Sequence, residues 1–500
     1  MKLLVIGASS LLGKKLMKVL SSSHDIGGTY FQNSITNSKF LDITDKEEVY
    51  KFTNLYSPDW IINTSALTNV DYCEKHQDEA WQINVDGTHN LVLACKSIGA
   101  KFMQISSDYV FDGTGSSYDE NTIPNPVNYY GITKLESERI VIDELYHYAI
   151  IRPSILYGYN DDKDKETFVT FVRKNLHQNK LEVDNEIIKY PVLIDDIAKL
   201  VDAIITQDLK GTFNIGGTEG YTRYEWAQKI METVSAETTM KLIPVISDNT
   251  GKKPKNVKFT NDKVKNIGIK LTGVNEGLDI IDKQEKCFFK LIYSVRPDIL
   301  VLNESASQFR INAGKALAKE SAVSADIVVP VPESGMFPAT GFSSETGIPL
   351  VFGIIRDYYT KRTLFDTKYE SRITSLKRKL IAVPSVLKDK NIILIDEAII
   401  SGSTLKIAVE KVKECGVKEI HIRIPSPPMI YQCPARMMPN NIDLVTHKLF
   451  HSSATEASQN EIEKEMAKYF EVDSVNYLSI EGILNSTTRK EWCLHCLKGD

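Results

Sequence analysis

The chain has 500 residues, of which 42% are hydrophobic and 25% are charged, and its formal net charge is −5. At about 150 residues per domain this length predicts two to four domains, and the near-neutral charge argues against a nucleic-acid or polyanion surface. No run reaches the roughly 18 apolar residues of a membrane helix, and seven cysteines, a sparse and odd number, favour a reduced cytoplasmic protein over a disulfide scaffold.

The first 280 residues alternate short apolar runs with helical patterns. We predict strands at "KLLVIGA", "DWIINTS" and "KFMQISSDYVF", and helices at "GKKLMKVLSS" and "EAWQINVDGTHNLVLACKSIG". The first strand starts at residue 2, so the N-terminus is interpreted as part of the fold and not as a signal peptide. This β–α alternation predicts a parallel, doubly wound sheet of the Rossmann type.

The pattern restarts after a polar stretch near residues 280–286. "ADIVVPVPESG" is predicted as a strand that runs into a loop, and "VKEIHIRIPSPP" as a strand that ends in a proline turn. Between them, "KNIILIDEAIISGSTLKIAVEKVKECG" is typical of a strand, a loop and a helix. We therefore predict an α/β protein with one domain at residues 1–283 and a second at residues 284–500.

A glycine-rich turn, "GASSLLG", lies between the first strand and the first helix. Its glycines let the backbone approach a pyrophosphate, which the helix N-terminus then stabilises, although such a motif alone fits a plain tight turn equally well. The second strand, "IGGTYFQNS", has no carboxylate where an NAD-specific site binds the ribose hydroxyls, which favours NADPH over NADH. Asp42 is placed to reach the adenine. The predicted cofactor-binding set is Gly7, Ser9, Ser10, Leu11, Leu12, Gly13, Asp42, Ile43, Ser65 and Ala66.

A candidate acid–base group lies in "YYGITK", where Tyr130 and Lys134 are four residues apart and share one helix face. A nearby ammonium lowers the pKa of a phenol from its usual value of about 10, so that it can exchange a proton near neutral pH. "QISSDYVFDG" ends the preceding strand with Ser106, Ser107 and Asp108, and a hydroxyl there can bind a substrate carbonyl. Tyr-x-x-x-Lys alone is usually a surface pair, but its combination with the other two features predicts a catalytic group.

These motifs extend over nearly all of residues 1–280 and resemble the extended short-chain dehydrogenases/reductases, in particular the dTDP-4-dehydrorhamnose reductase family. The resemblance implies NADPH-dependent reduction of a nucleotide-linked 4-keto-6-deoxy sugar. It further implies that Tyr130 protonates the carbonyl oxygen, that Lys134 lowers the pKa of Tyr130 and holds the nicotinamide ribose, and that Ser107 shares the oxygen. The regulatory subunit of methionine adenosyltransferase has the same resemblance without catalysis, so a nucleotide-binding scaffold is the alternative.

The second half contains "IILIDEAIISGST", where Asp396 and Glu397 follow a buried strand and the small residues Ser401 to Thr404 precede a helix. A small-residue loop at a helix N-terminus can hold a phosphate with its backbone N–H groups. Adjacent carboxylates can accept hydrogen bonds from two ribose hydroxyls or act through Mg²⁺. The alternative is a capped helix with two solvated acids.

This stretch resembles the 5-phosphoribosyl-1-pyrophosphate (PRPP) motif of type I phosphoribosyltransferases. Segments such as "ADIVVPVPESG", "GIPLVFGIIRDYYTKRTLF" and "WCLHC" follow the order of the amidophosphoribosyltransferase family. No counterpart of that family's glutaminase part precedes Cys287, so the resemblance implies that ammonia or another amine replaces glutamine. It also implies that PRPP is bound together with Mg²⁺. The implied PRPP-binding residues are Glu333, Ser334, Gly335, Asp396, Glu397, Ser401, Gly402, Ser403 and Thr404.

A terminal Cys-x-x-Cys is half of a possible metal site. In the iron–sulfur branch of the resembling family a 4Fe–4S cluster is held by four cysteines, and their counterparts are Cys287, Cys433, Cys493 and Cys496. Zinc is the alternative, because four thiolates do not by themselves distinguish the two metals. The remaining cysteines, in predicted helical stretches, are expected to be ordinary core or surface thiols.

The chain departs from the transferase pattern in its chemistry. Glu397 and Ala398 stand where the family has Asp and Ser, Ser401 replaces an Arg, Glu333 replaces an Asp, and Asp357 and Tyr358 replace Asn and Arg. Each lost preorganised cation removes about 2–4 kcal/mol of barrier lowering, for which the candidates to compensate are Arg356, Lys361 and Arg362. We therefore consider two functions: a bifunctional enzyme acting on a nucleotide sugar, PRPP and an amine, and a reductase with a degenerate PRPP- or nucleotide-sensing domain. We expect a homo-oligomer.

Overall fold

The computed structural model describes the chain except for residues 36, 160–165, 234–239, 247–252, 358–379, 434, 436–443, 451–453, 490 and 500. It divides into two compact units, Met1–Asp282 (unit 1) and Lys283–Asp500 (unit 2), which are treated separately below. Tyr358, Lys361 and Arg362 lie outside the described residues. Within the described ranges no helix is long and apolar enough to span a membrane.

Unit 1 consists of strands and helices that alternate along most of its length. Its strands are β1 (Lys2–Ile6), β2 (Asp25–Tyr30), β3 (Ser38–Phe40), β4 (Trp60–Asn63), β5 (Lys101–Ile105), β6 (Tyr148–Pro153), β7 (Leu156–Tyr157), β8 (Lys180–Asp184), β9 (Val192–Leu193), β10 (Gly211–Ile215) and β11 (Lys241–Val245). Its helices are α1 (Leu11–Leu20), α2 (Lys46–Tyr56), α3 (Val70–Lys75), α4 (Gln77–Trp81), α5 (Gly87–Ile98), α6 (Tyr129–Glu144), α7 (Phe168–Lys174), α8 (Ile194–Thr206), α9 (Arg223–Glu232), α10 (Asp262–Asn266) and α11 (Val274–Glu285), which crosses the boundary of the units.

The centre of unit 1 is a seven-stranded parallel sheet with the order β10-β6-β5-β4-β1-β2-β3. Successive side chains of a strand point to opposite faces. In β1, Leu3 and Val5 accordingly pack into one core, while Leu4 and Ile6 pack into a second core on the other face. Both faces are covered, which explains the uninterrupted apolar runs and confirms the predicted doubly wound fold.

Two details of the predicted elements differ from the structure. The predicted strand "KFMQISSDYVF" stops at Ile105, because the Ser107 hydroxyl caps a short 3₁₀ turn at Asp108–Val110. The predicted long helix is formed by α4 and α5, joined by a π-helical turn at Gln82–Asp86.

The strand order of this sheet reverses between β1 and β4. In such sheets ligands bind at the carboxyl ends of the strands beside this point.

Unit 2 is a second α/β unit with a smaller sheet. Its strands are β12 (Leu300–Val301), β13 (Glu304–Ser305), β14 (Ile327–Pro330), β15 (Ile354–Arg356), β16 (Leu380–Ala382), β17 (Asn391–Ile395), β18 (Glu419–Ile424) and β19 (Ser474–Tyr477). Its α-helices are Ala306–Glu320, Met336–Thr346, Pro384–Leu387, Ser403–Glu414, Val445–Phe450, Gln459–Phe470, Ile480–Leu484 and His495–Lys498. The parallel order β14-β17-β18-β19 places the polar segments that follow β14 and β17 side by side, and cores cover both faces.

Candidate functional site

Unit 1 contains a cavity of about 1580 Å³ at the carboxyl ends of its central strands. The segments that follow β1, β2, β4 and β5 all contribute to its wall. Among the predicted residues, those that line it are Gly7, Ser9, Ser10, Leu11, Leu12, Asp42, Ile43, Ser65, Ala66, Ser107, Tyr130 and Lys134. Gly13 does not line the cavity, so the predicted cofactor and acid–base residues otherwise share one space.

The glycine-rich turn is shaped by close backbone approaches. Gly7 has a φ of +74°, which L side chains rarely adopt, and a Cβ atom at Gly13 would lie 2.4 Å from the Gly7 carbonyl oxygen. Ser10, in place of the usual middle glycine, is the N-cap of α1, and its hydroxyl accepts a hydrogen bond from the Gly13 amide at 3.0 Å. The chain thus keeps a tight turn at a helix N-terminus, which suits a pyrophosphate.

The walls on either side of this turn are also polar. Asp42 accepts hydrogen bonds at one carboxylate oxygen from the amide and the hydroxyl of Thr44, at 2.9 and 2.8 Å. The segment after β2, Phe31–Ile35, lines the cavity and contains no carboxylate, and Lys14 of α1 lines the same space. Lys14 was not among the predicted residues, because a lysine on a first helix is normally a surface residue.

Tyr130 is positioned by the start of α6. Asn128 caps this helix by accepting a hydrogen bond from the Gly131 amide at 2.8 Å, and a Cβ at Gly131 would lie 2.2 Å from the Tyr109 carbonyl oxygen. This contact brings Tyr130 beside the segment that follows β5. Burial raises the pKa of Tyr130 above its usual value, and a hydrogen bond with Ser107 opposes that rise. The phenol is therefore held in its protonated form.

Lys134 lies one helical turn beyond Tyr130 and is also buried. Its Nζ donates a hydrogen bond to the Ile105 carbonyl oxygen at 2.7 Å. Burial lowers the pKa of Lys134 to about 8, while the charge of Glu138 opposes this shift. The causes that dominate the pKa of Tyr130 are burial, Ser107 and neighbouring negative groups, so the effect expected of Lys134 on that pKa stays a prediction.

Next to the acid–base group, a buried ion pair joins α6 to β6. The Arg152 Nε donates to both Glu138 carboxylate oxygens at 2.9 and 3.1 Å, and its Nη2 donates to one of them at 2.6 Å. The Ser106 hydroxyl donates to the same carboxylate. Both charged side chains are at most 5% exposed, so this pair fixes the helix that bears Tyr130 and Lys134.

A second buried pair, Asp108 and Lys189, lies on the other side of Ser107. The Lys189 Nζ is 3.4 Å from one Asp108 carboxylate oxygen, to which the Ser154 hydroxyl also donates. The other carboxylate oxygen accepts from the Ser107 hydroxyl at 3.2 Å. Asp108 and Lys189 both line the cavity. Asp108 was noted in the sequence, but Lys189 was missed; the available signal was a single lysine in the otherwise uncharged run "IIKYPVL".

The far side of the cavity was not predicted at all. It is lined by Phe168 and Phe171 of α7, by Arg223 at the start of α9 and by Lys253. The Arg223 guanidinium lies 5.3 Å from the centre of the Phe168 ring, and Lys253 forms an ion pair with Asp71 at 3.3 Å. These segments have no motif in common and are brought together only by the fold. They give this end of the cavity aromatic and cationic groups, which suit an anionic ligand with a flat ring.

In unit 2, Asp396 and Glu397 directly follow β17 and are each 6% exposed. The Ser334 hydroxyl donates to Asp396 at 3.1 Å, which joins the loop after β14 to the loop after β17. Burial raises the pKa of both acids, and the charge of Asp396 raises that of Glu397 further. Two such groups tend to share a proton, and hydroxyl donors or a divalent cation would stabilise their charged forms.

The predicted phosphate loop, Ser401 to Thr404, is shorter in the structure, because Gly402 is the N-cap and Ser403 and Thr404 already belong to the helix Ser403–Glu414. Gly402 has a φ of +75°, and a Cβ there would lie 3.2 Å from the Phe470 ring. The hydroxyls of Ser401 and Ser403 are 3.2 Å apart. The loop therefore presents backbone amides and hydroxyls at a helix N-terminus, without the arginine for which Ser401 stands.

Glu333, Ser334 and Gly335 of the predicted PRPP-binding set lie beside the two acids. A Cβ at Gly335 would lie 2.2 Å from the Ile395 carbonyl oxygen, so only glycine allows this approach to the end of β17. Glu333 pairs with Arg356 at 3.7 Å, and both are partly exposed. Arg356, at the end of β15, thus supplies a cation next to the loop after β14, and Asp357 follows it directly.

The four cysteines of the predicted metal site come together from distant parts of unit 2. Cys287 and Cys493 pair through their backbones, and Cys287 and Cys496 are buried. Burial raises the pKa of Cys287 to about 11, and the charges of Cys433 and Cys493 contribute to this rise. Burial likewise raises the pKa of Cys496, assisted by the other three thiols. A bound cation would relieve this mutual repulsion.

Two further observations concern the cysteines. Among the described residues, no group of three or more His, Cys, Asp or Glu side chains is found that could hold a metal ion. Outside the predicted site, Cys73 and Cys95 are buried in helices, while Cys415 is half-buried at the end of a helix. All seven thiols are free of disulfides.

Comparisons with known proteins divide the chain in the same way. A family model described as the RmlD substrate binding domain matches residues 1–285, and a phosphoribosyl transferase domain model matches residues 305–455. Methionine adenosyltransferase 2 subunit beta of Mus musculus is 30% identical over 300 residues, covering 57% of this chain and 89% of that relative. A dTDP-4-dehydrorhamnose reductase of Bacillus anthracis, solved in complex with NADP, is similar with a TM-score of 0.52 at 29% identity, covering 57% of this chain and 99% of its own.

The second half has a different set of relatives. The amidophosphoribosyltransferase of Methanocaldococcus jannaschii is 38% identical over 213 residues, covering 43% of this chain and 43% of that relative. The chain therefore spans less than half the length of the amidophosphoribosyltransferases that it matches. The two predicted resemblances are confirmed: an oxidoreductase-like first half and a phosphoribosyltransferase second half. Since the first model matches more than half of the residues, the chain belongs to the RmlD substrate binding domain family and has a phosphoribosyl transferase domain in its second half.

Proposed function

We propose that unit 1 catalyses NADPH-dependent reduction of a nucleotide-linked 4-keto-6-deoxy sugar. The observation that supports this most is that Ser107, Tyr130 and Lys134 line the same cavity as the glycine-rich turn. A bound dinucleotide and a sugar carbonyl would then meet at one point. The cationic and aromatic far end of the cavity suits the nucleotide and diphosphate of such a substrate.

In this proposal NADPH supplies the hydride, and side chains of unit 1 donate the proton and stabilise the charge that its loss leaves. Tyr130, which burial holds protonated, donates its proton to the carbonyl oxygen as negative charge develops there. The Ser107 hydroxyl lies beside Tyr130 and binds the same oxygen. Lys134, also buried, stabilises the phenolate that remains and contacts the cofactor ribose.

Substitution of Tyr130 tests the proposed reductase activity directly. Purified protein is given NADPH and dTDP-4-dehydrorhamnose, and the loss of absorbance of the reduced nicotinamide is followed. Tyr130→Phe is expected to lower kcat at least about 100-fold with an unchanged Kd for NADPH, because only the proton donor is removed. Tyr129→Phe is the matched control, since this neighbouring side chain does not line the cavity. Equal turnover by Tyr130→Phe and wild type would reject the proposal and leave a nucleotide-binding scaffold.

NADPH is preferred to NADH in this proposal because Lys14 and the segment Phe31–Ile35, which lacks a carboxylate, line the same cavity. A lysine that pairs with the 2′-phosphate contributes a charge-assisted hydrogen bond, equivalent to roughly ten- to hundred-fold in affinity. Lys14→Glu is expected to lower kcat/KM for NADPH by that factor and to change kcat/KM for NADH little. Lys18→Glu, on the exposed end of the same helix, is the control. An unchanged preference in Lys14→Glu would contradict this assignment.

For unit 2 we propose binding of PRPP with Mg²⁺ and transfer of its phosphoribosyl group to ammonia or another amine. The proposal is supported by the loops after β14 and β17, which bring two buried acids, a phosphate-type loop and Arg356 together. Asp396 and Glu397 would bind the ribose hydroxyls directly or through Mg²⁺. Gly402 and the amides that follow it would bind the 5′-phosphate.

Pyrophosphate release decides between an enzyme and a binding module. Protein purified without oxygen is incubated with PRPP, Mg²⁺ and ammonium, and pyrophosphate is measured. Release of pyrophosphate that disappears in Asp396→Asn supports transferase activity of unit 2. If the protein also has reductase activity, it is a bifunctional enzyme. Calorimetric PRPP binding without release, accompanied by a changed rate of NADPH oxidation, supports the regulatory alternative. Absence of both release and binding would reject each proposal for unit 2.

We also propose a 4Fe–4S cluster on Cys287, Cys433, Cys493 and Cys496. Four thiolates are the usual ligands of such a cluster, and the mutual effect of these thiols on their pKa values fits a shared cation. Zinc on the same four thiolates is the alternative, because thiolate ligands do not by themselves distinguish zinc from iron.

The metal content of the purified protein tests this assignment. Protein prepared without oxygen is expected to contain iron and acid-labile sulfide in equal amounts, with visible absorbance that Cys493→Ser abolishes. Cys415→Ser, outside the set, is expected to retain both. Stoichiometric zinc without iron would establish the alternative metal. The sparse and odd number of cysteines is the reason to propose a reducing cytoplasmic location. The predicted homo-oligomer is testable by light scattering.

A further inference from the structure

A buried lysine lies next to the proposed acid–base group, although no motif accounts for it. Lys189 is 7% exposed, and its backbone pairs with that of Tyr221 in both directions at 2.9 Å. Its ammonium lies 3.4 Å from Asp108 and 4.2 Å from the centre of the Tyr109 ring. A lysine is rarely buried to this extent without a specific partner, and here the partner is Asp108.

Asp108 connects this lysine to the proposed proton donor. One of its carboxylate oxygens accepts from Ser107 at 3.2 Å, and the other faces Lys189 and Ser154. Ser107 in turn forms a hydrogen bond with Tyr130, whose pKa the charge of Asp108 raises. A continuous polar path therefore leads from the lysine to the phenol within one buried region.

The charges of this path have a clear consequence for proton donation. When Tyr130 donates its proton it becomes a phenolate, and an uncompensated Asp108 carboxylate nearby would oppose that charge. The Lys189 ammonium offsets the charge of Asp108 and so reduces this opposition. Its contact with the Asp108 carboxylate also holds that side chain where it accepts a hydrogen bond from the Ser107 hydroxyl and so orients it.

The other cations near Tyr130 have partners other than Asp108. Lys134 is occupied by the Ile105 carbonyl oxygen, and Arg152 is held by the Glu138 carboxylate. Tyr109 and Cys73, which also face the phenol, raise its pKa if they are charged. Among the described residues named here, Lys189 is therefore the cation that is paired with the carboxylate facing Tyr130.

We propose that Lys189 is a positioning residue, which through Asp108 orients Ser107 and stabilises the phenolate form of Tyr130 during proton donation. The proposal rests on the reductase function proposed above, and it assigns a role to a residue that contacts neither hydride nor carbonyl. Its distinguishing feature is that the effect passes through one carboxylate. Removing the Asp108 charge should therefore compensate for removing the Lys189 charge.

The test uses the full chain with Lys189→Met, which preserves the volume of the side chain, Lys189→Arg, which preserves its charge, Asp108→Asn, and the Asp108→Asn/Lys189→Met double variant. Lys263→Met is the matched control. Lys263 is also partly buried over an aromatic ring, at 4.0 Å from Phe213, but does not line the cavity. An unchanged Kd for NADPH, measured by fluorescence, verifies that each variant is folded.

The first readout needs no substrate. With tyrosines labelled with ¹³C at Cζ, the Tyr130 resonance is assigned by its loss in Tyr130→Phe. We expect this resonance to shift in Lys189→Met, to return towards the wild-type position in the double variant, and to stay unchanged in Lys189→Arg and Lys263→Met. A resonance that does not move in Lys189→Met overturns the proposal. So does a double variant whose shift equals the sum of the two single shifts.

The second readout is turnover with NADPH and the keto sugar nucleotide. Lys189→Met is expected to lower kcat about tenfold or more with little change in KM, the size of effect that one unit charge has at a buried site. The double variant is expected to recover part of this loss. If wild type does not oxidise NADPH, the proposed substrate is wrong, and the tyrosine resonance alone decides the role of Lys189.

Discussion

Replacing Glu138 with glutamine tests the buried ion pair that fixes the helix of Tyr130 and Lys134. The Glu138 side chain is 1% exposed and its partner Arg152 is 5% exposed, and three N–H···O contacts of 2.6 to 3.1 Å join them. The Ser106 hydroxyl adds a fourth contact to the same carboxylate. The substitution keeps the shape of the side chain but leaves the guanidinium as an unbalanced buried charge.

The expected cost follows from this geometry. Removing one partner of a buried ion pair costs about 3–5 kcal/mol, because the remaining charge stays desolvated. For a unit of 282 residues the entropy of unfolding is about 0.6 kcal/mol/K, so the midpoint of thermal unfolding should fall by about 5–8 °C. The pKa of Lys134, which the charge of Glu138 raises, should fall as well.

Differential scanning calorimetry of the full chain measures this shift. The transition of unit 1 is identified as the one that NADPH raises, because a ligand stabilises the unit that binds it. Glu136→Gln on the same helix is the matched control, since Glu136 pairs with Arg139 at 3.0 Å on the exposed surface. This control should move the midpoint by no more than about 1 °C, as expected for an exposed pair.

A Glu138→Gln midpoint as close to wild type as that of Glu136→Gln would refute the reasoning. It would mean that Arg152 finds other partners or water at little cost, and that this pair does not fix α6. A lower midpoint without loss of NADPH binding would agree with the account, because neither charged group lines the cavity.

Three further predictions concern other positions. Gly402→Ala is expected to weaken PRPP binding in calorimetric titrations at least about tenfold, whereas Gly347→Ala, with a similar φ of +74° but open space around it, should cost similar stability without weakening binding. Burial raises the pKa of Asp396 and Glu397, so their stabilising effect is full below the ordinary carboxyl pKa of about 4 and is lost as pH rises. The free energy of unfolding in urea should therefore fall from about pH 4 to 9 in wild type relative to the Asp396→Asn/Glu397→Gln double variant. A difference in free energy that stays constant over this pH range would contradict this. Gly131→Ala is expected to cost about 1–3 kcal/mol in the same assay, because its Cβ would lie 2.2 Å from a carbonyl oxygen; a cost near zero would show that α6 can shift.

The sheets could be predicted from the sequence because each strand is buried on both faces. Continuous apolar runs such as "KLLVI" in β1 and "NIILI" in β17 alternate with helical patterns, which limits the fold to a parallel sheet with helices on both sides. The end of β5 was less predictable, since "SSDYVF" has the composition of a strand. The Ser107 cap, a local hydrogen bond, ends the strand there.

It was predictable that the residues of the predicted cofactor-binding set would share one cavity, because most of them lie just after strands of one sheet. Parallel strands place their carboxyl ends at one edge, so motifs that are distant in the sequence meet. Arg223, Lys253 and Lys189 could not be predicted in this way. They come from the ends of helices, from loops and from an isolated bridge, where the position of a residue depends on how the elements pack.

The second half shows a different limit of sequence reasoning. The resemblance named Glu333 and Arg356 separately, as a departure from the family and as a candidate to compensate for a lost cation. Only the structure reveals that these two residues form an ion pair beside the acids. A side-chain contact between loops depends on their relative distance, which the order of the motifs does not define.

The central claim is that the cavity of unit 1 transfers a hydride from NADPH to a sugar carbonyl while Tyr130 donates the proton. Deuterium transfer tests it most directly. NADPH deuterated at C4, on each face in turn, is incubated with the protein and dTDP-4-dehydrorhamnose, and the product is analysed by mass spectrometry and NMR. The account predicts deuterium at sugar C4 from one face of the nicotinamide only, with transfer lost in Tyr130→Phe. A wild-type protein that binds NADPH but leaves the sugar without deuterium from either face would contradict it.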